Sequence, residues 1–240
     1  MPKILLIETS TSLCSVALAV DGRIVANRES TQPRAHAAST APFVKEILDR
    51  QGLLAPDLDA VCVSAGPGSY TGLRVGVSTA KGICFATGRP LLSVGTLEIL
   101  VHQAREAGLL PPGCRYVIPM IDARRMEVYT AVFTPEGEQL TEVQPQIIGA
   151  DSFRREISEG PVLVIGDGAA KCSGTLTGEG LRFVQACPTA AAMLTPAMRE
   201  FEAGHFQDTA YFEPFYLKQF VATVSRKQLF QIPGQARDEN

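Results

Sequence analysis

Ser64-Ala65-Gly66-Pro67-Gly68-Ser69-Tyr70-Thr71-Gly72-Leu73-Arg74 joins an apolar run ending at Val63 to a segment with helical spacing. It reads as a strand-to-helix turn punctuated by glycines. Such glycines reach backbone angles closed to other residues, and the free amides of a helix start suit an anion or another backbone. Two phosphate-loop patterns are absent. There is no Gly-x-x-x-x-Gly-Lys-[Ser/Thr], and Gly66, Gly68 and Gly72 do not space as Gly-x-Gly-x-x-Gly. Ser69 lacks a Gly-x-Ser-x-Gly frame, and none of His36, His102 and His205 sits in a motif that points to it, which disfavours a hydrolase nucleophile.

Outward from this turn the pattern is regular. Strands are expected at Lys3 to Glu8, Ser15 to Val20 and Arg23 to Glu29, with Asp21-Gly22 as a two-residue hairpin signal. A helix from Ala35 to Gln51, a strand from Asp59 to Ser64, a helix from Thr71 to Thr87, a strand from Leu91 to Val94 and a helix from Thr96 to Ala107 follow. After the linker Gly108-Leu109-Leu110-Pro111-Pro112-Gly113 the pattern restarts. Strands are expected at Tyr116 to Asp122, Glu127 to Phe133 and Val143 to Ile148, then a helix from Asp151 to Ser158 and a strand from Val162 to Ile165 with its own turn, Gly166-Asp167-Gly168. A glycine turn after a strand at matching places in both halves predicts an α/β fold of duplicated ribonuclease-H-like βββαβα units. That is the architecture of the actin, sugar-kinase and Hsp70 superfamily. The expected domains are 1–107 and 114–210, with a helix at Thr189 to Glu202, an aromatic segment at 211–224 that returns to the first domain, and a mobile polar tail at 225–240.

Composition narrows the classes. With 240 residues, 45% hydrophobic and 20% charged, the chain can build real cores and is not a disordered protein. A net charge of -3 without a Lys/Arg run argues against gripping nucleic acid unaided. No stretch approaches the roughly 18 apolar residues that span a bilayer, and Lys3-Ile4-Leu5-Leu6-Ile7 is too short for a secretory signal, so a cytoplasmic protein is expected. The six cysteines contain no Cys-x-x-Cys pair, and Cys62 and Cys84 lie in apolar surroundings typical of reduced core thiols.

Candidate chemistry is sparse. Glu8, at the end of the first strand and followed by Thr9-Ser10-Thr11-Ser12, could hold a metal on nucleotide phosphates, with Gly66 and Gly68 completing a vestigial site. Equally, its neighbours could be hydroxyls satisfying a turn. Asp122 and Asp167 also end strands, as catalytic acids or as turn caps. An enzymatic alternative is therefore an actin-like phosphotransferase or ATPase using Glu8 and Asp122. A metal-dependent peptidase would need two histidines four apart on a helix, and Thr40 stands four residues after His36. Gly72, Gly76 and Ala80 form a smooth helical stripe beside Leu73 and Val77. It suits close packing on the chain's own sheet or on another subunit.

Ile7-Glu8-Thr9-Ser10-Thr11, Cys14 to Leu18, His36 with Pro42, Asp57-Leu58-Asp59-Ala60, the 64–74 turn and Gly95-Thr96-Leu97-Glu98 together resemble the bacterial TsaB (YeaZ) family. Pro119 to Arg124 and Pro214 to Lys218 extend the resemblance more loosely. It implies a non-catalytic subunit of the machinery that places threonylcarbamoyl on adenosine 37 of tRNAs reading codons that begin with adenine. The implied partners are a TsaD-like paralogue that carries metal and active site, and a TsaE-like ATPase. The chain would homodimerise when alone, meet tRNA only through the complex, and bind no cofactor or metal of its own. The implied interface lies on two helices, through His36, Ser39, Pro42 and Phe43 on one and Gly72, Leu73, Gly76, Thr79, Ala80 and Ile83 on the other.

Overall fold

The computed structural model describes residues 2–33 and 35–217. The first half runs β1 (Lys3–Glu8), β2 (Cys14–Val20), β3 (Arg23–Ser30), α1 (His36–Arg50), β4 (Ala60–Gly66), α2 (Tyr70–Thr87), β5 (Leu91–Gly95) and α3 (Thr96–Glu106). The second runs β6 (Tyr116–Asp122), β7 (Glu127–Thr130), β8 (Gln144–Ile147), α4 (Arg154–Glu159), β9 (Val162–Gly166), α5 (Ala169–Cys172), β10 (Leu181–Gln185) and α6 (Leu194–Glu202).

Each half is a five-stranded sheet with the same topology, β3-β2-β1-β4-β5 and β8-β7-β6-β9-β10. In each, the first three strands form an antiparallel meander, the fourth adds in parallel to the first, and the fifth in parallel to the fourth. The duplicated α/β architecture expected from the sequence is therefore present. Its signature is the matching order of strands, because a parallel addition needs a helical crossover and a meander does not.

Period-two alternation buries the first sheet on both faces. Leu5, Ile7, Val16 and Val63 meet Val44 and Ile47 of α1 and Val77, Ala80 and Cys84 of α2. Ile4, Leu6, Ala60, Cys62 and Leu92 point the other way, onto Ala190, Met193 and Ala197 at the α6 end of the chain. Conversely, Leu97, Leu100, Val101 and Ala104 of α3 pack on Val117, Ile121, Leu163 and Ile165 of the second sheet. The expected division at 107 to 114 thus marks a linker and not a boundary between cores. Each half lends a helix to the other, and Arg199 of α6 bonds Glu98 of α3 at 2.6 Å across them.

Several expected elements are revised. The strand expected at Glu127 to Phe133 pairs with β6 up to Thr130 and again at Phe133, in one register. Between them β6 presents Pro119, which has no N–H to donate to the ladder. The helix expected from Asp151 starts at Arg154, because Phe153 adopts a left-handed backbone at φ 57°. The helix expected from Thr189 opens as a 3-10 turn at Ala191–Met193. β10 and α5 were not anticipated, since both are short and flanked by glycine-rich sequence.

The end of the described chain returns to the first sheet. The Phe215 amide donates to the Ala65 carbonyl at 2.7 Å, and Lys81 Nζ on α2 donates to the carbonyls of Ala210 and Phe212 at 3.0 Å each. The Tyr216 ring lies 4.8 Å from that of Tyr70. The expectations for 218–224 and for the tail 225–240 lie outside the described residues.

Candidate functional site

The glycine turn closes over the end of the neighbouring strand β1. A Cβ at Gly68 would overlap the Ser10 carbonyl, one at Gly72 the Thr9 carbonyl oxygen, and one at Gly76 the Thr9 hydroxyl. Thr9 fills the notch between Gly72 and Gly76, and its Oγ1 donates to the Gly72 carbonyl at 2.8 Å. The Ser69 amide donates to the Ser10 carbonyl at 2.6 Å, and the Ser69 hydroxyl caps α2 by accepting from the Gly72 amide at 3.3 Å. Such a cap contributes about 1 kcal/mol. These contacts correct the expected interface. Gly72, Leu73, Gly76 and Ala80 are buried against the chain's own β1 and β4, so the small-residue stripe admits the chain's own backbone.

The same closure seals the candidate nucleotide residues. Glu8, Thr9 and Ser10 have no accessible surface and Thr11 has 5%. Glu8 Oε1 accepts from the Ser10 amide at 2.5 Å, and the Ser10 and Ser64 side chains are enclosed with it. Burial pushes the Glu8 carboxyl up to about 7; hydrogen bonds from Ser10 and Ser64 offset part of this, and the Asp167 charge adds to it. In this conformation the Glu8 carboxyl is closed off from solvent.

In the second half the matching turn is equally tight. A Cβ at Gly166 would overlap the Met120 carbonyl. Asp167 Oδ1 accepts from the Asp122 amide at 2.8 Å, Asp122 Oδ1 accepts from the Arg124 amide at 2.8 Å, and Lys171 pairs with Asp122. Both aspartates thus organise loops. Among the described residues no cluster of three or more His, Cys, Asp or Glu side chains could hold a metal. Thr40, where a second histidine would stand, is buried; its hydroxyl donates to the His36 carbonyl at 2.7 Å and lies 3.4 Å from Cys14 Sγ. The cysteines are free, and Cys62 and Cys84 sit in the core as expected, their thiols raised by burial.

What remains open is the outer side of α1 and α2. Between them lies a groove of about 340 Å³ lined by Ala41, Val44, Leu48, Leu53, Thr79 and Ile83. Lys45 and Asp49 sit at its edge, paired at 2.5 Å. Phe85 at the end of α2 is 87% exposed and Leu54 beside the groove 70%. Of the expected interface residues, Thr79 and Ile83 line this groove, Pro42 is exposed, and His36, Ser39 and Phe43 are half-buried on α1. Phe85 and Leu54 were missed. Their signal is an apolar residue set off the buried stripe, legible only once the buried side is known.

Two β-meander halves with glycine turns packed on the first strand of each define a protein of the actin, sugar-kinase and Hsp70 architecture whose first strand-end loop is sealed. Residues 23–216 match the family model described as TsaD: tRNA N6-adenosine threonylcarbamoyltransferase. The chain is 32% identical to the tRNA threonylcarbamoyladenosine biosynthesis protein TsaB of Escherichia coli (strain K12), over 92% of this chain and 96% of that protein. It is 31% identical to the protein of the same name from Haemophilus influenzae, over 91% and 94%. The solved structure of YeaZ from Pseudomonas aeruginosa superimposes with a TM-score of 0.77 at 28% identity, covering 90% of this chain and all of that one. The chain belongs to the TsaB (YeaZ) family.

Proposed function

We propose that this chain serves the biosynthesis of threonylcarbamoyladenosine in tRNA as a non-catalytic subunit, docking through the outer faces of α1 and α2 onto a TsaD-like catalytic paralogue. The observation that carries this reading is the sealed Glu8 to Thr11 loop, which leaves the chain's own strand-end site closed while the α1–α2 groove stays open and apolar. An exposed apolar groove with a charged edge has the composition of a protein interface, with an apolar centre and a polar rim. The buried Thr40 at the place of a second histidine supports a division of labour in which metal, ATP and transfer chemistry belong to the partners. A TsaE-like ATPase joins the pair, tRNAs reading codons that begin with adenine are the substrates, and alone the same groove takes a second copy of this chain.

The test is reconstitution with tRNA, ATP and the threonylcarbamoyl donor, each protein omitted in turn, with incorporation into tRNA as the readout. Omitting this chain is expected to abolish incorporation. Full incorporation without it overturns the proposal. So does ATP hydrolysis by the purified chain that Glu8→Ala removes.

A further inference from the structure

The β6–β7 hairpin turns through two arginines in a conformation that suits neither. Arg124 and Arg125 have φ of 73° and 52°, the left-handed region that residues with a Cβ avoid and that hairpin turns normally fill with Asn and Gly. The other non-glycine residues there, among those described, are Asp21 and Phe153, each alone.

The loop is held firmly, and its bracing leaves the guanidiniums out. Asp122 accepts the Arg124 amide and is itself neutralised by Lys171, and the Ile148 amide donates to the Met126 carbonyl at 2.9 Å. Both arginine side chains are exposed, and among the described residues neither has a hydrogen-bond or ion-pair partner. Arg28, Arg50, Arg154, Arg155 and Arg199 are each paired with a carboxylate, while Arg23, Arg115 and Arg182 stand singly, exposed and without an ion pair among the described residues. Two adjacent unpaired guanidiniums are thus kept at a strained tip on a chain of net charge -3. Strain held by a dedicated brace points to use.

We propose that the Arg124–Arg125 tip is a phosphate-contact site that grips the tRNA backbone in the assembled complex. This rests on the proposed subunit role. Guanidinium forks match phosphate oxygens and need no apolar surroundings; beside the pair stand Met126, partly exposed, and Ile147 of β8, exposed and paired with Glu127, two side chains too few for the apolar centre that a protein interface needs. The tip also lies on the second sheet and lines no part of the α1–α2 groove, so it stays free when that groove is filled.

The reconstituted complex is measured for tRNA binding by filter retention across a salt series, with this chain as wild type, as the double variant Arg124→Asn with Arg125→Gly, and as Arg124→Lys with Arg125→Lys. The Asn-Gly variant is expected to bind tRNA about tenfold more weakly, with the slope of log affinity against log salt shallower by about two. Its melting temperature should equal or exceed wild type, because the turn now carries its preferred residues. The lysine variant should keep the slope. Unchanged affinity and slope in the Asn-Gly variant overturns the proposal. A lowered melting temperature makes the arginines structural and overturns it too, and weaker assembly at unchanged tRNA affinity does so in favour of an acidic protein surface. If the wild-type complex modifies tRNA and the variant binds tRNA equally well, only the tip is refuted; if the wild type supports no modification, the subunit role fails first.

Discussion

At the scale of single residues, Glu8 and Thr9 show a polar loop converted into packing. The Glu8 carboxyl titrates near 4.5 in an unfolded chain and near 7 in the fold, so the folded state binds its proton more tightly. The resulting cost is absent below about pH 4.5, grows between 4.5 and 7 and is complete above, on the order of 3 kcal/mol. Glu8→Gln, which keeps the acceptor for the Ser10 amide and cannot ionise, is expected to melt several degrees above wild type at pH 8 and to match it at pH 4.5. Parallel melting curves at both pH values would contradict this. Gly72→Ala places a methyl into the Thr9 carbonyl and is expected to destabilise the chain by about 3 kcal/mol or more, read by urea denaturation.

At the scale of elements, α2 has two unlike faces. One is milled down to Gly72, Gly76 and Ala80 so that β1 and Thr9 can approach; of the rest, Thr79 and Ile83 line the groove, while Phe85, two residues beyond Ile83, stands exposed on a different side of the helix. The faces respond differently to the same substitution. Gly76→Arg is expected to unfold the chain and therefore cannot report on an interface. Phe85→Asp should shift stability by less than about 0.5 kcal/mol, as exposed positions do, while weakening the complex with the catalytic paralogue at least tenfold. Sedimentation of the mixture reads this, and full-strength association of the Phe85→Asp chain would move the interface elsewhere.

At the scale of the whole molecule, the two halves are alike in topology and yet not independent. The outer face of the first sheet is finished by Ala190, Met193 and Ala197, and that of the second sheet by α3. A fragment of residues 1–113 would expose Ile4, Leu6, Cys62 and Leu92 and leave α3 without its partner sheet. It is expected to lack a cooperative thermal transition by circular dichroism. A fragment that melts sharply would show that the halves fold alone.

How much of this was legible follows from the range of the interactions. Strand order, hairpin signals and the recurrence of a glycine turn in each half are local patterns, so β1 to α3, the duplication and the family could be read from one chain. The Asp122 turn was legible for the same reason, whereas Asp167 reaches the Asp122 amide from forty-five residues away. The sequence marked Gly72, Gly76 and Ala80 as a place of close approach, because a missing Cβ is visible in a string of letters. Which surface approaches is not, since Thr9 lies sixty-three residues from Gly72 along the chain and meets it only in the sheet. The closing of Glu8, the exchange of α3 and α6 between sheets, and the strained arginine tip are long-range or conformational facts. Only the tertiary structure decided them, because burial and backbone angle depend on what the rest of the chain brings alongside.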